Sequence, residues 1–71
     1  MDRQPVTSTT LASVGYEEGS ATLEVEFVDG GIYQYFGVPS EVHAELIAAG
    51  SLGTYFNTHI KNAGYQYSRI G

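Results

Sequence analysis

The feature that most constrains this chain is a glycine-rich turn between two runs of strand-like sequence. Thr22-Leu23-Glu24-Val25-Glu26-Phe27 alternates strictly, with Leu23, Val25 and Phe27 on one face and Thr22, Glu24 and Glu26 on the other. Asp29-Gly30-Gly31 follows, a strong hairpin signal, and then Ile32-Tyr33-Gln34-Tyr35-Phe36. Such alternation marks an antiparallel sheet that is wetter on one side. Loop length decides the faces of the second run, because a slip of one residue inverts every side chain. A two-residue loop sets Tyr33 and Tyr35 beside Glu24 and Glu26. A three-residue loop over residues 29–31 pairs Val28 with Ile32, Phe27 with Tyr33, Val25 with Tyr35 and Glu26 with Gln34. The second is preferred. It puts Gln34 on the glutamate face and suits a turn closed by a left-handed glycine, while leaving Ile32 and Phe36 partly exposed.

Upstream, residues 1–8 read as a flexible polar arm, residues 9–16 as a first strand, and Glu17-Glu18-Gly19-Ser20 as a turn. Downstream, Val38-Pro39-Ser40-Glu41 opens a helix, with Pro in its first turn and Glu41 at the positive end of the dipole. Val42, Leu46 and Ala49 line its apolar face, and Gly50 is the expected C-cap. Ser51 caps a second helix that runs to about Asn62, where Leu52, Phe56 and Ile60 recur every fourth residue. Ala63-Gly64 ends it, and Tyr65 to Ile70 form a short aromatic tail suited to an extended segment or edge strand. The expected fold is α+β: a three-stranded antiparallel meander followed by two helices packed on one face, with residues 9–71 as a single domain.

A domain of 71 residues buries only about 60% of its unfolded surface, and one core of this size supplies roughly 3–5 kcal/mol. There is no cysteine, hence no disulfide and no thiolate metal site, and the cytoplasm is the expected compartment. Self-association into a homo-oligomer is the remaining route to extra stability. No apolar run reaches the roughly 18 residues of a membrane span, and Met1-Asp2-Arg3-Gln4-Pro5 lacks the basic patch and apolar core of a signal peptide. Eight acids against three bases give a net charge of −5. Nucleic-acid affinity rests on cations that neutralise phosphates, and only Arg3, Lys61 and Arg69 are available. A polyanion is therefore disfavoured as a partner, whereas a small anion held by two or three local groups is not.

The ordered set Leu-x-Val-x-Phe, Gly-x-Tyr-x-Tyr, Val-Pro, Gly-Ser-x-Gly-x-Tyr-Phe-Asn-x-x-Ile-Lys and Tyr-x-Tyr-x-Arg-Ile, from about Val6 to Ile70, resembles the KTSC domain. That domain is named for its place at the C-terminus of some lysyl-tRNA synthetases and also occurs as a stand-alone small protein of bacteria and phages. The resemblance implies a family in which RNA binding is suggested, with Tyr33-Gln34-Tyr35 as its central hallmark here. Many members are more basic in the tail, and the presence of only Lys61 and Arg69 there weakens an RNA reading for this chain.

Two groups of residues are candidates for binding chemistry. Tyr33 and Tyr35 either stack on bases, at about 1–3 kcal/mol each, or fill the core between sheet and helices; a mixed case buries the rings and leaves the hydroxyls in a pocket. The second helix and tail supply the other group. Tyr55 and His59 share one helix face and Asn57 and Lys61 another, Tyr67 and Arg69 follow in the tail, and backbone amides at Ser51 to Gly53 could hold an anion if Arg69 folds back to them. The plainer alternative is a solvated helix face with aromatics anchoring the tail. The function expected is a non-catalytic binding domain for a nucleotide-type small ligand, and sequestering a nucleotide signal is one use such a pocket could serve. RNA binding and a protein-interaction module are the alternatives. No metal or cofactor is expected, since His43, Glu41 and Glu45 do not share a helix face. No acid–base pair suggests an enzyme, and a solvated strand face explains Glu24 and Glu26.

Overall fold

The computed structural model describes residues 1–71. Its centre is the expected meander of β2 (Leu11–Glu17), β3 (Thr22–Phe27) and β4 (Ile32–Phe36). Two short strands flank it, β1 (Gln4–Pro5) beside β2 and β5 (Tyr67–Arg69) beside β4. The class is α+β as expected, but the sheet has five antiparallel strands in the order β1-β2-β3-β4-β5 rather than three. The tail is an edge strand, fastened beyond its end by Ile70 N–H donating to the Ile32 carbonyl at 2.8 Å.

The β3–β4 hairpin keeps a three-residue loop, but over residues 28–30 instead of 29–31. Phe27 and Gly31 close it, with Phe27 N–H donating to Gly31 O at 2.8 Å and Gly30 N–H to Phe27 O at 2.9 Å. Gly30, at φ 101°, supplies the left-handed residue, which a side chain would disfavour. The pairs are therefore Val25 with Tyr33, Leu23 with Tyr35 and Glu24 with Gln34, a slide of two places from the expected register. A slide of two preserves the faces, so the tyrosines lie on the apolar side and Gln34 on the glutamate side. A bulge at Ala12 does for β2 what the turn does for β4. Leu11 faces the core, the register shifts, and Ser13 then points to the glutamate side while Val14 returns to the core.

Residues 1–8, expected as a loose arm, are docked on the body. Gln4 and Pro5 pair with Val14 and Ser13, and Val6 N–H donates to Ala12 O at 3.1 Å. The strand pattern was too short to read from two residues, one of them Pro, which only an edge tolerates.

α1 (Ser40–Ala48) begins just after Pro39, and its C-cap is Ala49 rather than Gly50. α2 (Leu52–Phe56) is capped as expected, with Ser51 Oγ accepting from Thr54 N–H. It continues into a π-helical turn, Asn57–Lys61, closed by Asn62 N–H on Asn57 O at 3.1 Å. Leu46, Phe56 and Ile60 pack into Leu11, Leu23, Val25, Tyr35 and Val38 to make one core on one side of the sheet. No helix is long and apolar enough to cross a membrane.

Candidate ligand-binding site

A concavity of about 540 Å³ opens on the helix side of the sheet, between the hairpin tip, β5 and the end of the π-helical turn. Alternation builds it. Tyr33 and Tyr35 are two apart on β4, Tyr67 and Arg69 two apart on β5, and the antiparallel register sets Tyr35 opposite Tyr67 and Tyr33 opposite Arg69. The buried Tyr35 ring meets Phe56 edge-on at 5.4 Å and stacks on Tyr67 at 5.4 Å and 29°. Burial, and then the neighbouring Tyr67 and Tyr33, push the Tyr35 hydroxyl above the usual tyrosine range, so it stays a neutral donor. Tyr67 is 62% exposed and presents a free aromatic face. The Arg69 guanidinium lies 5.8 Å from the Tyr33 ring centroid, and its Nε donates to Gly71 O at 2.9 Å.

Lys61 and Asn62 enter from the end of the π-helical turn, a distortion found often at functional sites. Asp29 enters from the hairpin, its Oδ1 accepting from Gly31 N–H at 3.1 Å. Gly31 leaves the floor open: a Cβ there would sit 3.3 Å from Tyr33 Cε1, 3.5 Å from Asp29 Oδ1 and 3.7 Å from Arg69 Nη2. The sole ion pair of the molecule, Arg3 with Glu24, is on the opposite face of the sheet, so both cations outside an ion pair line this concavity.

The structure brings together Tyr33, Tyr35, Lys61, Tyr67 and Arg69 from the expected set. Tyr33 and Tyr35 pack against the core as the plainer reading expects, and a share of each lines the concavity. Ser51, Gly53 and Asn57 lie elsewhere, on a groove of about 320 Å³ that they share with Thr7 to Thr10. There the close approach at Gly53 is made by the chain itself, since a Cβ would sit 2.6 Å from Thr10 Oγ1. Tyr55 and His59 lie against each other with centroids 4.4 Å apart and planes tilted by 34°, outside either concavity, with Tyr55 Oη donating to Glu45 Oε1 at 2.8 Å. Arg69 does not reach the start of α2. Pairing of β5 with β4 carries it to the hairpin tip, beside the helix's far end. Phe27, Asp29, Gly31 and Asn62 also line the site and were not anticipated. Reading Tyr-x-Tyr and Tyr-x-Arg as paired strands would have pointed to the hairpin residues.

The opposite face corrects the reading of Glu24 as solvated. Glu24 is 5% exposed. Arg3 Nη1 and Gln34 Nε2 donate to its two oxygens, the latter at 2.9 Å, while Arg3 Nε donates to Ser13 Oγ at 2.9 Å and Ser13 Oγ to Glu26 Oε1 at 3.0 Å. No buried side-chain polar atom lacks a partner. This network saturates its own groups, and no three His, Asp or Glu side chains converge to hold a metal.

Comparison with known proteins agrees along almost the whole chain. The family model described as KTSC domain matches residues 7–69. A protein of Stutzerimonas stutzeri is 44% identical over 70 residues, 99% of each chain. A lysine–tRNA ligase of Nostoc punctiforme is 41% identical over 51 residues, which are 72% of this chain and 9% of the ligase. The crystal structure of a KTSC domain protein from Yersinia pestis superposes with a TM-score of 0.94 at 38% identity, covering 99% of this chain and 97% of that one.

Proposed function

The chain belongs to the KTSC family, and from that premise we propose that it is a non-catalytic binding domain whose concave site takes a nucleotide-type ligand, an aromatic base joined to a phosphate. The observation that carries this reading is the convergence of Tyr33, Tyr35 and Tyr67 with Lys61 and Arg69 on one cavity of about 540 Å³, within the size range of small-molecule sites. The exposed Tyr67 face offers stacking without charge. Lys61 and Arg69 offer the phosphate two cations in a chain whose overall charge would repel a polyanion.

The test is a thermal-shift panel of mononucleotides, dinucleotides and cyclic nucleotides on the intact chain. At one hundred times Kd a true ligand stabilises by about 2.7 kcal/mol, and Tyr67→Ala and Lys61→Ala should each shrink that shift. A flat response across the panel overturns the reading.

RNA is the second reading, favoured by the similarity to segments of lysine–tRNA ligases. With two cations at the site, a bound single strand should show a shallow salt dependence, a log–log slope of about −1.4 at roughly −0.7 per phosphate. Absence of RNA retention at low salt removes this alternative.

A further inference from the structure

We propose that β5 is a latch: it undocks from β4 as a unit while the rest of the domain stays folded, and a ligand in the concave site closes it. The second half of this proposal rests on the nucleotide reading above; the first half does not. Tyr67 and Arg69 stand on β5, and the other lining groups stand on β3, β4, the hairpin and the end of the π-helical turn, so the site is whole only while the strand is docked. The strand is lightly held. It has three residues, all exposed, pairs with β4 alone and gives no residue to the buried core. Its fastenings are Phe36 N–H on Gln66 O at 2.9 Å, Ile70 N–H on Ile32 O at 2.8 Å, Ile32 N–H on Gly71 O at 3.2 Å, and the Tyr67 ring on Tyr35. Each such bond contributes little net stability, and the cost of ordering the backbone opposes them all. Just upstream, Tyr65 packs against the core, so the chain is anchored there and undocking begins beyond it.

The amides of β4 divide by alternation. Ile32 and Phe36 donate to the tail. Tyr33 and Tyr35, in register with Val25 and Leu23 and spaced by twos from the bonded pair Phe27 and Gly31, donate to β3. One strand therefore carries amides that report the latch and amides that do not. A ligand that touches Tyr67 and Arg69 binds the docked form alone. Linkage makes the effect mutual: the ligand holds the strand down, and a firmly docked strand binds it more tightly.

The experiment is hydrogen exchange of the intact chain, read amide by amide by nuclear magnetic resonance. In the free protein the Ile32, Phe36 and Ile70 amides should exchange about tenfold faster than those of Tyr33 and Tyr35, after correction for intrinsic rates. Low concentrations of urea should speed the Tyr33 and Tyr35 amides and leave the tail set almost unmoved, because undocking exposes little surface. Equal rates in the two sets with equal urea dependence overturn the latch. The measurement is then repeated with AMP, GMP, CMP and UMP and with their 3′,5′-cyclic forms. For a nucleotide that binds, at one hundred times its Kd, the tail set should slow about one hundredfold, since each undocking must first release it. Binding that leaves the tail rates unchanged overturns the coupling and leaves the nucleotide reading standing. If none of these nucleotides binds, the nucleotide reading fails and the coupling with it, while the pattern in the free protein still decides the latch.

Discussion

Glu24 is a carboxylate almost out of water, and it stays charged. Burial, the largest influence on it, pushes its pKa up; hydrogen bonds from Gln34 and Arg3, with the charges of Arg3 and the N-terminus, outweigh burial and hold it below the usual glutamate range. A carboxyl depressed in the folded state contributes stability that is fully present above the unfolded value, about 4.3, and is lost as pH falls through the folded value. Urea midpoints should therefore drop below about pH 4.3, and Glu24→Gln should remove that part of the pH dependence. At neutral pH the same substitution should cost about 1–3 kcal/mol, less than for a fully buried pair, because the Arg3 side chain is 26% exposed. Urea titrations of both proteins between about pH 3 and 7 measure both effects, since this range brackets the glutamate transition. On the other face of the sheet, His43 stacks on Tyr16 at 4.8 Å and burial lowers its pKa, while Tyr16 Oη donates to Val38 O at 2.5 Å. That pair fastens α1 to β2 and uses no charge.

Among the elements, β1 depends on a missing side chain. A Cβ on Gly15 would stand 2.5 Å from the Asp2 carbonyl oxygen and 3.1 Å from Arg3 Cγ, so the arm can cross β2 only over a glycine. Gly15→Ala should lift the arm, break the Arg3–Glu24 contact and cost about 1–3 kcal/mol. Hydrogen exchange at the Val6 amide, bonded to Ala12 O, reads the loss directly and should accelerate while the β3 amides stay protected. The elements with internal periodicity were readable in sequence: β3 from its alternation, the Leu52-Phe56-Ile60 row from its fourfold spacing, the Ser51 cap from its chemistry. β1 was not assignable because two residues carry no period, and for the tail the sequence left an extended segment or an edge strand open; the pairing of both is decided by what they meet. The hairpin register was missed by two places because Val28 entered the loop, where its side chain is 59% exposed. That loss of burial is offset by a glycine, Gly30, at the left-handed position. The site was half legible for the same reason. Its tyrosines and cations stand out in composition, whereas Asp29 and Gly31 join them only through tertiary pairing.

The molecule as a whole has one small core and little stability to spare. Phe56 is fully buried and touches Phe27 and Tyr35 edge-on at 5.4 Å each, joining the helix layer to β3 and β4. Phe56→Ala should cost about 3–5 kcal/mol, comparable to the whole stability expected of a core this size. Loss of the cooperative melt and of near-ultraviolet dichroism at room temperature checks it. The sheet's outer strand has a further consequence, of a colloidal kind. Gln66 O and Ile70 N bond inward to β4, so by alternation Tyr67 and Arg69 turn their backbone groups outward with nothing paired to them. Three things guard that edge: its brevity, the Arg69 charge and the mutual repulsion of molecules at net −5. The last of these vanishes near the isoelectric point, about 4.6, where turbidity should peak and recede again on either side. Copies would then add strand to strand along β5, and that growth would cover Tyr67 and the mouth of the concavity beside it.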